Sequence, residues 1–260
     1  MLESVTLSFP HLPACLDGLR LAHLTDFHIR RGHDARDRAD RIAGRLASMR
    51  LDLALFTGDY MDRSGDEATA AELLSRLLGR LRPRLGCYGV FGNHDNPDLR
   101  RRLGELDIHW LDNTVARPGR LPLALCGLDG DITRRPDPVE LAGHLGRDDG
   151  AAFRILLSHF PTALGTASDL GIHLLLAGHT HGGQLRLLWR RALYNSTDLP
   201  LHLSAGVLRH RDTLAVVSRG LGETALPLRL FCPRQLPIVQ LKRGPLPGER
   251  TDLIANVLPW

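Results

Sequence analysis

Short apolar runs closed by polar residues recur along the chain, and at first they alternate with stretches of helical period. Residues 19–24 form one such run and end in Thr25-Asp26, which predicts a buried strand delivering polar side chains at its C-terminal end. Between residues 34 and 49 the apolar positions Ala35, Ala39, Ile42, Ala43 and Leu46 recur mostly at steps of three and four, which predicts an amphipathic helix. Residues 51–57 predict a second buried strand, closed by Gly58-Asp59. Residues 67–81 predict a second helix, with Leu73, Leu74, Leu77, Leu78 and Leu81 on one face and a Glu72–Arg76 pair on the other, ended by Pro83 and Gly86. Residues 87–91 predict a third strand, closed by Gly92-Asn93-His94-Asp95, and Pro97 then opens a helix.

Further strands are predicted over 110–116 and 121–126, a helix over 138–145, and a strand over 154–157 ending in Ser158-His159. Another, over 172–177, ends in Gly178-His179-Thr180-His181. Beyond it the helical period fades, and strands at 201–204, 214–217 and 238–241 are separated by Gly and Pro. A β-α-β-α-β opening followed by a β-rich second half implies a layered α/β fold. No linker divides it, so one domain over residues 1–260 is expected.

Composition narrows the picture. Of 260 residues 43% are hydrophobic but only 5% aromatic, so the core must be packed by Leu, Ala, Ile and Val. A net charge of +4 suits an anionic substrate, a nucleic acid or an anionic membrane surface without choosing among them. The interleaved aromatic and basic platform of single-strand binders is absent, so nucleic acid is not indicated. Cys15, Cys87, Cys126 and Cys232 form no C-x-x-C pair and read as small hydrophobes of a reducing compartment, leaving nitrogen and oxygen to build any metal site. The N-terminus has no basic region followed by an apolar stretch, and no run of about 18 apolar residues exists. The expectation is a cytoplasmic protein, with peripheral contact at the inner face of the membrane as the variant of that reading. Gly220-Leu221-Gly222-Glu223-Thr224-Ala225 matches a dinucleotide fingerprint in spelling only, because Pro227 blocks the helix and Lys242-Arg243 stand where an acid is needed.

The chemistry lies at the strand ends. Five apolar strands close in polar clusters: Asp26-Phe27-His28, Gly58-Asp59-Tyr60-Met61-Asp62, Gly92-Asn93-His94-Asp95, Ser158-His159 and Gly178-His179-Thr180-His181. Ligands of open α/β sheets gather outside the carboxyl ends of strands, so five clusters from one sheet would converge. Carboxylates, imidazoles and an amide are the donors of a dinuclear site, where a bridging carboxylate neutralises charge between two cations. Asp-x-His or Gly-Asn-His-Asp alone is more often a cap, a core histidine or a turn; two histidines in three residues after a buried strand are rarely core, and all five clusters in this order are hard to reach by chance.

These motifs resemble those of the calcineurin-like metallophosphoesterase superfamily: D-x-H, G-D-x-x-D, G-N-H-D/E, H and G-H-x-H. The tail is similar to that of the YaeI/YkuE-type phosphodiesterase subgroup, through Gly178 to Gln184, Ser218 to Gly222 and Leu226 to Leu230. It departs at Pro233-Arg234-Gln235-Leu236, where the subgroup usually carries Pro-Glu-Ile. The resemblance implies a four-layer αββα sandwich and two divalent metal ions, manganese being favoured and iron or zinc the alternatives. It implies Asp26, His28 and His181 on one ion, Asn93, His159 and His179 on the other, and Asp59 bridging both. His94 would act on the leaving oxygen and Asp62 would orient His94; Arg63 would touch phosphate or make a solvent-facing ion pair.

The implied activity is phosphodiester hydrolysis by metal-activated water. The alternatives are a pyrophosphatase acting on a nucleotide-linked lipid such as UDP-2,3-diacylglucosamine, and a non-catalytic scaffold, which the intact ligand set opposes. Residues 185–194 are apolar, aromatic and basic, which reads either as an element packed beside the site or as a contact with an anionic membrane.

Overall fold

The computed structural model of the chain describes residues 2–130, 138–145, 152–187 and 191–260. In chain order the elements are strand β1 (Leu2–Phe9), β2 (Arg20–Leu24), helix α1 (His33–Ala47), β3 (Leu53–Thr57), α2 (Glu67–Leu78), β4 (Cys87–Val90), α3 (Pro97–Leu103), β5 (His109–Trp110), β6 (Val115–Ala116) and β7 (Leu123–Leu128). They continue with α4 (Pro138–Leu145), β8 (Phe153–Ser158), α5 (Leu164–Asp169), β9 (Leu174–Ala177), β10 (Arg186–Leu187), β11 (Arg191–Ala192), β12 (Gly206–His210), β13 (Thr213–Val217), β14 (Leu236–Arg243) and β15 (Ala255–Pro259).

The strands form two large sheets. The first runs β1-β14-β2-β3-β4-β5 and the second β15-β12-β13-β9-β8-β7-β6. The centre of each is parallel, β2-β3-β4 in one and β7-β8-β9-β13 in the other. Strand β14 inserts between β1 and β2, parallel to the first and antiparallel to the second.

Alternating side chains sort these strands into layers. Leu21, Leu53 and Leu55 from the first sheet meet Ile155, Leu157, Leu174 and Leu176 from the second, making the apolar layer between the sheets. The opposite faces bury Ala22, Leu24, Ala54 and Phe56 against Ile42, Leu46, Leu73, Leu77 and Leu99 of α1, α2 and α3. Leu156, Leu175 and Ala177 pack against Leu141 and Leu164 of α4 and α5. These three apolar layers make the four-layer αββα arrangement.

Several expectations change. The five functional strand ends do not share one sheet: β2, β3 and β4 belong to the first, β8 and β9 to the second. The run 110–116 divides, because the chain crosses there from β5, paired with β4, to β6, paired with β7. Residues 201–204 do not make a strand. Leu201–Leu203 is a single 3-10 turn after Pro200, with Ser204 Oγ donating to the Leu201 carbonyl at 2.8 Å. The strand lies just beyond, at β12. Strands β1 and β15 escape the sequence pattern because they lie at sheet edges, half-buried and without a continuous apolar run. Helix α5 has only six residues, too few for a period to show.

The crossing between sheets is tight at Gly127, where a Cβ would lie 2.2 Å from the Leu111 carbonyl oxygen. Gly127→Ala must therefore move backbone, and overpacking of this kind costs about 1–3 kcal/mol. A lowered urea midpoint at unchanged m is the expected result; an unchanged midpoint would show the crossing to be slack.

Candidate metal centre

The carboxyl ends of β2, β3 and β4 meet those of β8 and β9 at one edge of the sandwich. Asp26, His28, Asp59, His179 and His181 all hold positive φ, at 51°, 41°, 56°, 69° and 51°. Such conformations are costly outside glycine and persist only where surrounding bonds fix them. Here Asp26 N–H donates to Gly58 O at 3.0 Å, His28 N–H to Asp59 O at 3.1 Å, and His179 N–H to Asp26 Oδ1 at 3.0 Å. The last bond ties the two sheets together. It needs Gly178, whose Cβ would fall 2.2 Å from Asp26 Oδ2. Asp95 clamps the remaining loops, accepting from Gly92 N–H at 2.7 Å, Tyr60 N–H at 2.8 Å and Asp59 N–H at 2.9 Å.

Two groups of donors result. In one, His181 Nε2 lies 3.4 Å from Asp26 Oδ1 and 3.0 Å from His28 Nε2. In the other, His159 Nε2 lies 3.2 Å from Asp59 Oδ2 and 3.1 Å from His179 Nδ1. Asp59 Oδ2 is also 3.3 Å from His28 Nε2, so one carboxylate reaches both groups. Each group places its donor atoms within 4.8 Å of one another. Asn93 Oδ1, next in the chain to His94, whose N–H donates to Asp59 Oδ1 at 2.9 Å, is buried with no hydrogen-bond donor.

The far nitrogens are occupied in the way metal-binding imidazoles require. His159 Nδ1–H donates to Thr57 O at 2.8 Å and His179 Nε2–H to Ser196 O at 3.1 Å, leaving the other ring nitrogen of each for the cluster. His28 Nδ1 faces Asp62 Oδ1 at 3.4 Å. His181 differs, with its Nδ1 3.3 Å from Arg229 Nη2, a group that can only donate. The orphaned amide oxygen and the all-nitrogen-and-oxygen donor set fit a pair of divalent cations.

Electrostatics follow from burial. Burial opposes ionisation of Asp59, yet His159 and His28 hold it well below the usual carboxylate range. Burial opposes charging of His28 and His159 too, but Asp59, with Asp62 beside His28, pushes both up to about 9. Burial, with the neighbouring Asp59 charge, raises Asp26. Burial and the His159 charge push His179 down to about 4, and burial with the His28 charge puts His181 well below its ordinary value. The charge that these carboxylates favour on His28 and His159 opposes cation binding, because a metal-bound imidazole is neutral.

The structure brings Asp26, His28, Asp59, His159, His179 and His181 together, with Asn93 on the adjoining β4 loop. His94 stands at the rim, its Nε2 4.0 Å from Asp59 Oδ2. Asp62 meets His94 by its main chain: His94 Nδ1–H donates to the Asp62 carbonyl at 2.8 Å, while the Asp62 carboxylate turns to His28, Arg30 and Arg63. Arg63 is 70% exposed and makes the solvent-facing ion pair.

Sequence reading missed three contributors. Asp95 was visible as the last letter of Gly-Asn-His-Asp. Arg229 bonds the carbonyls of His181, Arg219 and Gly222, and its signal was the Pro-Leu-Arg spelling of the tail. The Thr57 carbonyl has no sequence signal at all. Of the stretch 185–194, residues 188–190 lie outside the described residues.

The chain is similar to known metallophosphoesterases. A family model described as calcineurin-like phosphoesterase matches residues 19–183. The uncharacterized metallophosphoesterase YkuE of Bacillus subtilis is 29% identical over 242 residues, covering 89% of this chain and 82% of its own. UDP-2,3-diacylglucosamine pyrophosphatase LpxG of Chlamydia trachomatis is 32% identical over 117 residues, 45% of this chain and 33% of that protein. A dimetal phosphatase from Danio rerio superposes with a TM-score of 0.51 at 10% identity, over 79% of this chain and 88% of its own, a likeness of fold alone.

Asp95→Ala would leave three buried N–H groups without an acceptor, each costing about 1–3 kcal/mol. The expected loss by urea titration is about 3 kcal/mol or more, with Asp95→Asn intermediate because one oxygen remains. Equal stability of Asp95→Ala and the parent would remove the clamp from the account.

Proposed function

The chain belongs to the calcineurin-like phosphoesterase family, and on that footing we propose that it is a phosphodiesterase using two divalent metal ions. The family makes it a phosphoric ester hydrolase with a dinuclear site, and the clustered His and Asp residues agree with that. Asp26, His28 and His181 would hold one ion, Asn93, His159 and His179 the other, and Asp59 both. The carrying observation is the single Asp59 carboxylate reached by imidazoles of both groups, with a further imidazole at its rim. The sequence resemblance favours manganese, and the donor set admits iron and zinc as well.

When bound, such a pair supplies an acidified water as nucleophile and neutralises phosphoryl oxygens. The chain's own residues supply the rest. His94, fixed through Nδ1 by the Asp62 carbonyl, presents Nε2 toward the cluster. When protonated at both ring nitrogens it can give the Nε2 proton to the leaving alkoxide, help worth about 10²–10⁴ in rate. The Asp62 carboxylate holds the His28 ring.

A second reading, pyrophosphate cleavage in a nucleotide-linked lipid, draws on the partial likeness to LpxG. It uses the same residues and differs in substrate.

Hydrolysis of bis(p-nitrophenyl) phosphate above p-nitrophenyl phosphate, abolished by EDTA and restored by Mn²⁺, is the expected outcome. Protein shown to hold two metals yet inert on the diester would overturn the phosphodiesterase reading. His94→Ala should lower kcat by about 10²–10⁴ with its metal content intact, whereas Asp59→Ala should lose metals and turnover together. Asp62→Asn keeps the carbonyl that fixes His94, so it should weaken metal retention more than it lowers kcat at saturating Mn²⁺. The reverse pattern would return the carboxylate to a role on His94.

A further inference from the structure

A histidine stands in the apolar layer between the sheets. In β2, Ala22 and Leu24 face the helices and Leu21 faces the second sheet, so strand alternation puts His23 on the inter-sheet side. It is fully buried. In the register it lies opposite Leu55, and its ring reaches two residues further along the same face of β3, where Nε2 makes a hydrogen bond of 2.8 Å with Thr57 Oγ1. Its Nδ1 has no hydrogen-bond partner among the described residues. Burial pushes the imidazole down to about 3, so the ring is neutral near pH 7.

Stability does not account for this pair. A buried polar atom without a partner is costly, and a buried hydrogen-bonded pair is often matched by apolar groups of like size. What the pair does hold is the last residue of β3. Beyond Thr57 the chain leaves the strand through Gly58 and Asp59, at φ of 93° and 56°, so the Thr57 side chain is the last grip before the turn that aims the Asp59 carboxylate. The Thr57 carbonyl accepts the His159 Nδ1–H at 2.8 Å. It also lies 3.4 Å from Thr25 Oγ1, which donates to Asp26 Oδ2 at 2.9 Å. One residue therefore touches the supports of both donor groups, and His23 fixes its side chain.

We propose that His23 is a positioning residue for the metal centre: through Thr57 it sets the carbonyl that orients His159 and the turn that carries Asp59. This role rests on the two-ion reading above, and it concerns how tightly the ions are held rather than which ester is cleaved.

The test is calorimetric titration of the metal-free full chain with Mn²⁺, beside urea unfolding of the same metal-free protein. His23→Leu/Thr57→Val replaces both polar partners by apolar groups and keeps the Thr57 carbonyl. The expected result is Mn²⁺ affinity lowered about tenfold or more, as when a group behind a metal ligand is lost. The urea midpoint should stay at or above the parent's, which shows the variant to be folded. Thr57→Ser keeps the hydroxyl, and His23→Gln can set an amide group where Nε2 stands, so both should bind Mn²⁺ nearly as the parent does. Unchanged Mn²⁺ affinity in the double variant would overturn the proposal whatever the midpoint does. So would a loss of affinity that Thr57→Ser and His23→Gln share in full, since it would not depend on the hydrogen bond. Parent protein that binds two Mn²⁺ yet cleaves no phosphoester, with the affinity loss present in the double variant, would support this role and sink the hydrolase reading instead.

Discussion

A carboxylate sealed from water stays ionised only if positive charge is brought to it, and Asp59 is such a carboxylate. Its cationic neighbours come from different layers: His28 from the end of β2, His159 from the end of β8. Neither sheet could satisfy it alone. The site therefore exists only where the two sheets are packed, and the apolar layer of leucines between them is as much a part of it as the ligands. The backbone bears the consequence, with five donor residues in the left-handed region and glycine required where the Asp26 and His179 loops touch.

Much of this was legible in the sequence because each clustered donor sits within a few residues of a strand's end. Apolar runs located the strands, and the polar letters that close them located the donors. What could not be read was relative placement. Nothing in the spacing says that β2–β4 and β8–β9 lie in separate sheets, since the crossing at β5 and β6 is made of two-residue strands. The orientation of Asp62 was equally hidden: spelling names a carboxylate, but the atom touching His94 is its carbonyl oxygen. Backbone acceptors such as Thr57 O are invisible in principle, because every residue has one.

The resemblance and the residue-level reading converge on the same atoms for different reasons. One matches letters to a family; the other finds buried charge, strained backbone and an amide oxygen without a donor. Strain and burial of this kind are what an active site retains against the tendency of a fold to relax them.

The insertion of β14 between β1 and β2 has a temporal side. On a ribosome the five motifs emerge by residue 181, yet β1 and β2 have no shared ladder until residues 236–243 follow. The turn at Gly220 to Gly222, which packs onto the Asp26 loop, is synthesised equally late. A nascent chain carrying every donor would still lack the walls that orient them. A fully walled site thus requires residues 236–243 as well as the five motifs, and no fragment ending at residue 181 contains both.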